Sequence, residues 1–421
     1  MPPSINSSTH TPGLAASPLG AQTARHTQVL PAAARRVLNL LARLKTGTLT
    51  LTGPDGVDRV FGTHDAPHAW IVLHHWDVCA QVLKSGDIGF AEGYMDGHWT
   101  TPDLAALLRL LIANRRQLED AVYGHWIGRL AYRLKHLLNR NTRSNSRKNI
   151  HAHYDLGNAF YELWLDGTMN YSSAWFEGDH GRDMVQAQTA KVHRALRMTH
   201  VKPGDRVLEI GCGWGAVAEA ATRDFGAQLT GVTLSTEQLA FAKARMNWNG
   251  TTAQSDLRLQ DYRDIADGPY DAIVSIEMIE AVGQAYWPTY FQSVARLLKP
   301  GGRACIQSIV IDDALFERYL QSTDFIQQYI FPGGCLPSPS EFRRQAQAAG
   351  LQVVDELAFG PDYAETLRRW RTAFTEQIEQ VLTLGFDERF TRLWTFYLAY
   401  CEAAFDERNI DVVQFTLARP A

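Results

Sequence analysis

The sequence predicts an α/β fold: a doubly wound, mainly parallel seven-stranded sheet with helical insertions, preceded by a small α+β domain. Three observations predict it. Strand-like and helix-like segments alternate from residue 206 onward, the pattern of a parallel sheet covered by helices on both faces. A glycine-rich turn, Gly211-Cys-Gly-Trp-Gly215, joins the first of these strands to a helix. The chain has 421 residues, more than one domain at roughly 150 residues each.

Residues 1–30 are rich in Ser, Thr and Pro and contain no acid, which predicts a disordered tail. Residues 31–115 form the small α+β domain. It opens with an apolar-periodic helix, Pro31–Leu44, followed by strand-like pieces at Thr48–Thr52, Arg59–Gly62 and Ala69–Leu73. Three glycines among aromatics between Gly89 and Trp99 suggest a turn-rich packing unit. A helix begins after Pro102. Residues 116–150 form a basic amphipathic helix and linker, and residues 151–421 form the main domain.

In the main domain the predicted strands are Arg206–Ile210, Gln228–Thr233, Asp256–Leu259, Asp271–Ile276, Arg303–Ile311, Leu351–Leu357 and Asp411–Leu417. Helices fall at Ala216–Phe225, Thr236–Trp248, Trp287–Leu298, Ala314–Tyr329 and Ser340–Ala349. Lys299-Pro-Gly-Gly302 reads as a turn. A long helical insertion, Ala364–Phe405, separates the last two strands, which suits a seventh strand entering antiparallel.

Composition excludes several classes. Hydrophobic residues make up 45% of the chain, too many for global disorder. A net charge of −4 argues against a dedicated nucleic-acid binder. Cys79, Cys212, Cys305, Cys335 and Cys401 are scattered and odd in number, which suits a reducing cytoplasm and neither a disulfide framework nor a metal site. His151 and His153 are two apart and would not share a helix face. No apolar run approaches the roughly 20 residues of a membrane span.

The charge is unevenly placed. Between Ala121 and Asn149 lie Arg129, Arg133, Lys135, Arg140, Arg143, Arg147 and Lys148, with no acid. Two readings fit: a solvated helix leading into a hinge, or a surface resting on anionic lipid, where each basic residue adds about 1 kcal/mol.

The strongest local signal is Val207-Leu-Glu-Ile-Gly-Cys-Gly-Trp-Gly215. A buried strand runs into three spaced glycines and then a helix, so a ligand can approach the backbone closely. Dinucleotide enzymes use a related loop with glycine at position 216, of which Ala216 is the small-residue variant. They also expect an acid at the end of the second strand. That strand ends Gly231-Val-Thr-Leu-Ser235. Glu209, just before the turn, can accept from a ligand ammonium or from the backbone.

Glu-x-Gly-x-Gly-x-Gly resembles motif I of S-adenosylmethionine-dependent methyltransferases, which have a Rossmann-like class I fold. Further blocks narrow the resemblance. His151-Ala-His-Tyr-Asp-Leu-Gly-Asn158, Met169-Asn-Tyr-Ser-Ser-Ala-Trp175, Gly231-Val-Thr-Leu-Ser-Thr-Glu-Gln238, Ser275-Ile-Glu-Met-Ile-Glu-Ala-Val-Gly283 and Phe325-Ile-Gln-Gln-Tyr-Ile-Phe-Pro-Gly-Gly334 are similar to the cyclopropane-fatty-acyl-phospholipid synthase family. The resemblance covers about residues 85–417. It implies methyl transfer from S-adenosylmethionine to a cis double bond of an unsaturated phospholipid acyl chain. A carbocation follows, and loss of a proton to a bound bicarbonate closes the cyclopropane ring.

The resemblance also implies site residues. Tyr171 and Ser172 contact the cofactor from before the turn. Glu209, Gly211 and Gly213 hold its amino-acid end, Thr233, Leu234 and Gln238 its ribose side, and Asp261 and Tyr262 its adenine. Glu280, Tyr363 and the backbone of Ile309 correspond to the bicarbonate site. Two positions depart from the family pattern: Ser173 stands for a cysteine and Gln307 for a histidine. Both can donate to a carboxylate-like ion, and a changed base site opens a methylene- or methyl-branched product as an alternative to the ring.

Some aromatics carry two readings. Phe325–Phe331 fits either core or the wall of an acyl tunnel, and Tyr161, Trp164 and Trp175 fit either core or rings facing the cation. Two other functions remain open: a small-molecule N- or O-methyltransferase, and a lipid-binding protein without catalysis. The implied setting is the cytoplasm, peripherally on the inner face of a membrane. The N-terminal domain would dock lipid or form a homodimer.

Overall fold

The computed structural model describes residues 30–118 and 156–421. The tail, the seven basic residues of the linker, His151 and His153 lie outside the described residues.

The small domain is built on a four-stranded sheet of order β2-β1-β3-β4: β1 Thr48–Thr52, β2 Asp58–Gly62, β3 His68–Leu73 and β4 Trp99–Thr100. Alternation explains its one-sided burial. In the Thr-Leu-Thr-Leu-Thr run of β1, Leu49 and Leu51 point into the core. Helices Ala32–Leu41 and Leu104–Ala113 bury apolar residues in the same core, and the latter is capped by Asp103, whose side chain accepts from Ala106 N–H.

The stretch Gly89–Trp99 corrects the sequence reading. It is largely helix, Asp87–Met95, and not a turn-rich unit. Its glycines serve close packing: a Cβ on Gly89 would fall 2.3 Å from the carbonyl oxygen of Gln81 in the neighbouring helix Asp77–Ser85. Gly93 likewise makes room for Trp99, which is fully buried, stacks on Phe90 at 4.2 Å and donates to its carbonyl.

The main sheet has seven strands in the order β10-β11-β9-β8-β5-β6-β7. They are β5 Arg206–Ile210, β6 Gln228–Thr233, β7 Ser255–Leu259, β8 Tyr270–Ile276, β9 Leu298–Ile311, β10 Gln352–Ala358 and β11 Ile410–Ala418. β5 to β9 are parallel, and β11 inserts antiparallel between β9 and β10. β8 carries Ala272, Ile273, Val274 and Ser275 buried in succession, as a strand covered on both faces requires. The Lys299–Gly302 turn interrupts β9 locally: pairing with β8 jumps from Leu298 to Arg303.

Two predicted helical stretches are divided. Ala314–Tyr329 consists of Asp313–Leu320 and Phe325–Tyr329, because Asp324 starts a new helix with a capping box shared with Gln327. The insertion consists of Gly360–Glu376, Ile378–Thr383 and Glu388–Asp406.

These insertion helices join the two domains in one apolar core. Phe396 meets Phe90 and Trp99, and Arg109 pairs with Asp406 at 3.1 Å. The backbone N–H of Phe325 and the hydroxyl of Tyr400 both donate to Asp87, at 3.2 and 3.0 Å. A second core lies under β8, β9 and β11, where Phe342 stacks on Phe415 at 3.9 Å.

Candidate active site

The order of the main sheet reverses between β5 and β8, and ligands of such sheets collect at the carboxyl ends of strands flanking this point. The glycine turn follows β5 there. Gly211, Gly213 and Gly215 all have positive φ, +87°, +48° and +85°, a conformation that favours glycine. A Cβ on Gly211 would also press on Met278, 2.9 Å from its Cγ. The N–H groups of Gly211 and Cys212 donate to the carbonyl of Val232, which ties the turn to β6.

The turn floors a cavity whose lining includes Tyr171, Ser172, Glu209, Gly211, Gly213, Thr233, Leu234, Gln238, Asp261 and Tyr262. The structure thus gathers all ten expected cofactor-binding residues around one space. Glu209 is buried, and one of its carboxylate oxygens has no hydrogen-bond partner among the described residues. Burial raises its pKa well above the ordinary value, against the opposing pull of Arg245 and Lys191. An orphaned acid beside an open backbone turn suits the ammonium of an amino-acid ligand. Thr233 Oγ1 donates to the carbonyl oxygen of Gln238 at 3.1 Å, which fixes the amide beside the turn. Asp261 accepts from Arg263 through the backbone and the guanidinium. These residues fit S-adenosylmethionine: an acid for the ammonium, glycine backbone for close approach, and polar groups along the far wall.

A second, largely apolar cavity of about 380 Å³ starts at the same point and runs into the small domain. Leu49, Leu51, Ile71 and Leu73 of the small sheet line its far part, and Ile309, Phe331, Tyr363 and Tyr397 its near part. Tyr171, Glu277 and Ala281 border both cavities. Phe325 is buried in the core, whereas Ile326 and Phe331 line the apolar cavity, so the stretch serves both core and cavity wall. Tyr161 and Trp164 are buried around Tyr171 and are not among the residues lining either cavity. Trp175 has Arg194 over its ring, 5.8 Å from the centroid.

The expected bicarbonate site holds a side chain instead. Glu277, at the end of β8, accepts from the backbone N–H of Ser173 at 2.9 Å, from Gln307 Nε2 at 2.7 Å and from the Tyr363 hydroxyl at 2.6 Å. The N–H of Ile309 donates to Glu280 at 2.5 Å. The expected anion donors are therefore engaged by the protein's own carboxyl groups. Bicarbonate does not fit: it would lack those donors and would sit against an existing negative charge. The Ser173 hydroxyl, which the resemblance places at the anion, donates to the carbonyl of Ala174. Sequence reasoning passed over Glu277. The signal available was the second acid in Ser275-Ile-Glu-Met-Ile-Glu280, appearing together with the changes at 173 and 307.

Supporting groups fix this arrangement. Gln414 Nε2 donates to Gln307 Oε1 at 3.0 Å, which turns the Gln307 nitrogen toward Glu277. Arg194 in turn donates to Gln414 Oε1 at 2.8 Å. Lys191, fully buried, reaches Ser172 Oγ at 2.5 Å, and burial lowers its pKa to about 8 against the attraction of Glu277. Burial, and then the charge of Glu277, push Glu280 up to about 8. Burial also raises Glu277, opposed by Lys191 and its three donors. The three donors and Lys191 favour the charged form of Glu277, whereas the charge of Glu277 disfavours that of Glu280.

The sequence profile of the family described as mycolic acid cyclopropane synthetase matches residues 141–415. The chain is 38% identical over 402 residues to a tuberculostearic acid methyltransferase of Mycobacterium tuberculosis, covering 93% of this chain and 92% of that one. It is 35% identical over 344 residues to the cyclopropane-fatty-acyl-phospholipid synthase of Escherichia coli K12, covering 82% and 86%. Among solved structures, the mycolic acid cyclopropane synthase CmaA1 complexed with SAH and CTAB superposes with a TM-score of 0.61 at 32% identity, covering 65% of this chain and 98% of that one. Coclaurine N-methyltransferase, at 16% identity and a TM-score of 0.60, shares the fold.

Two outcomes are expected. Glu209→Gln removes the group that can ionise against a ligand ammonium, and titration calorimetry should show S-adenosylmethionine binding roughly 10-fold weaker or more, the worth of a charged hydrogen bond, with an unchanged fold. Equal affinity would assign the ammonium elsewhere. Glu280 has its pKa raised from 4.5 to about 8, so the stability it contributes is complete below 4.5 and is lost as pH rises to 8. Glu280→Gln is neutral throughout. In urea unfolding its stability should gain on wild type across that window, and a gap independent of pH would contradict the shift.

Proposed function

Because the chain belongs to the mycolic acid cyclopropane synthetase family and is an S-adenosylmethionine-dependent methyltransferase, we propose that it methylates a carbon of a cis double bond in an unsaturated phospholipid acyl chain. One observation carries this reading. The cofactor cavity and the apolar cavity meet at Tyr171, Glu277 and Ala281, which supports contact between an extended hydrocarbon and a methyl donor at that junction.

S-adenosylmethionine supplies an electrophilic methyl group when bound. The residues of this chain do the rest. The glycine turn and Glu209 orient the donor. The apolar walls exclude water, which would otherwise capture a carbocation. Tyr171, Phe331, Tyr363 and Tyr397 present aromatic surface near the junction, each ring worth roughly 1–2 kcal/mol to a desolvated cation. An alkene is its own nucleophile, so no base is needed for the first bond.

The product read first is the cyclopropane ring. A branched acyl chain is the second reading, favoured by the 38% identity to a relative named for tuberculostearic acid. We also propose that the phospholipid is met in the bilayer, with residues 121–149 as the contact. Their charge supports this, and the apolar cavity gives an acyl chain somewhere to go once it leaves the membrane.

Incubation with methyl-labelled S-adenosylmethionine and vesicles of unsaturated phospholipid should place label in the acyl chain, and mass spectrometry will separate ring from branch. Label only on a soluble amine or hydroxyl would overturn the lipid reading. Replacing the seven basic residues with neutral ones should reduce pelleting with anionic vesicles, more so at low salt. Unchanged pelleting would remove residues 121–149 as the contact.

A further inference from the structure

We infer that the Glu277 carboxylate is this enzyme's own proton acceptor, standing where a bicarbonate ion was expected and making the reaction independent of that ion. The inference rests on the acyl C-methylation reading above and concerns its second step.

Three independent features support it. The first is position: Glu277 borders both cavities, at the place where donor and alkene meet. The second is its bonding. A carboxylate has about four acceptor sites. Oε1 takes the N–H of Ser173 and the Gln307 amide, while Oε2 takes, among the described residues, the Tyr363 hydroxyl alone. A lone pair on Oε2 is therefore left for a proton. The third is backbone conformation. Glu277 has φ +48°, the left-handed region that disfavours a non-glycine residue and that recurs at functional sites. A residue held there against its preference is placed for its side chain.

The step balances. The π pair of the alkene forms the new carbon–carbon bond as the S–CH₃ bond breaks and its electrons stay on sulfur. A C–H bond of the new methyl then breaks. Its electron pair closes the ring onto the cationic carbon, and its proton passes to Glu277 Oε2. Before that transfer the same carboxylate faces the cation with a full negative charge, a preorganised counter-charge in a water-poor site. Glu280, the other acid at the site, receives the Ile309 N–H on Oε1 and keeps Oε2 without a partner among the described residues, so position separates the two acids: Glu280 lines the apolar cavity and not the cofactor cavity.

The test compares wild type, Glu277→Gln and Glu277→Gly, each first shown to bind S-adenosylmethionine. Glycine suits the left-handed backbone, so the second variant removes the carboxylate without strain. In bicarbonate-depleted buffer the wild type should methylate acyl chains at full rate, with no gain from added bicarbonate. Glu277→Gln should lose roughly 10²–10⁴-fold, the contribution of a positioned base. Glu277→Gly should be equally slow when depleted and recover with bicarbonate, a rescue that a merely structural role would not produce. Carbon-13 bicarbonate, followed by NMR, should bind Glu277→Gly and not the wild type. A wild-type rate that rises with bicarbonate, bicarbonate binding to wild type, or a fully active Glu277→Gln would each overturn the inference. The binding measurement needs no turnover, so it decides the inference even if no acyl chain is labelled, a result that would count against the substrate reading alone.

Discussion

A carboxylate buried between an apolar channel and a cofactor cavity must find its donors within the protein, and meeting that demand organises this molecule. The donors of Glu277 come from residues 173, 307 and 363, far apart in the chain. Behind them stand Gln414, Arg194 and Lys191. Those residues belong to the segment before β5, whose helix Met184–Met198 carries Lys191 and Arg194, to β9, to the insertion and to β11. Misplacing any of them would leave a buried charge short of a partner, an error costing several kcal/mol. The antiparallel β11 has a clear purpose in this light: it brings Gln414 beside Gln307, opposite it in the register, and so sets which end of that amide faces the acid.

The small domain takes part in the same constraint. Its sheet supplies the far walls of the apolar cavity, and Asp87, Glu92 and Arg109 bond to the catalytic domain or its insertion. It is therefore a wall of the channel rather than an appendage. Residues that are separate domains by sequence composition form one continuous core in space.

What the sequence reveals follows from how local each signal is. The glycine turn, the alternating strands and the antiparallel last strand are encoded in short runs whose spacing dictates geometry, and the ten cofactor-lining positions are legible through motifs around them. Gly89–Trp99 misleads because glycine has two uses. Here Gly89 and Gly93 let helices and an indole approach closely within a helix, and only the neighbours, Gln81 and Trp99, reveal that. Glu277 escapes notice for a related reason. Its meaning lies in three contacts made across the fold, and nothing in its immediate neighbourhood distinguishes it from Glu280. The departures at 173 and 307 look like weakened anion ligands when taken singly. Taken with Glu277 they are a matched set: a backbone N–H and an amide suffice for a carboxylate that is already fixed.

The left-handed backbone at residue 277 bears on how such an enzyme could diverge. Its turn is one that glycine occupies freely, so the fold does not depend on the glutamate side chain for its path. Glutamate and glycine codons differ by a single nucleotide. On the role inferred for Glu277, a lineage with this turn stands one substitution away from trading a tethered acid for one drawn from dissolved carbon dioxide, or the reverse, with the surrounding architecture left in place.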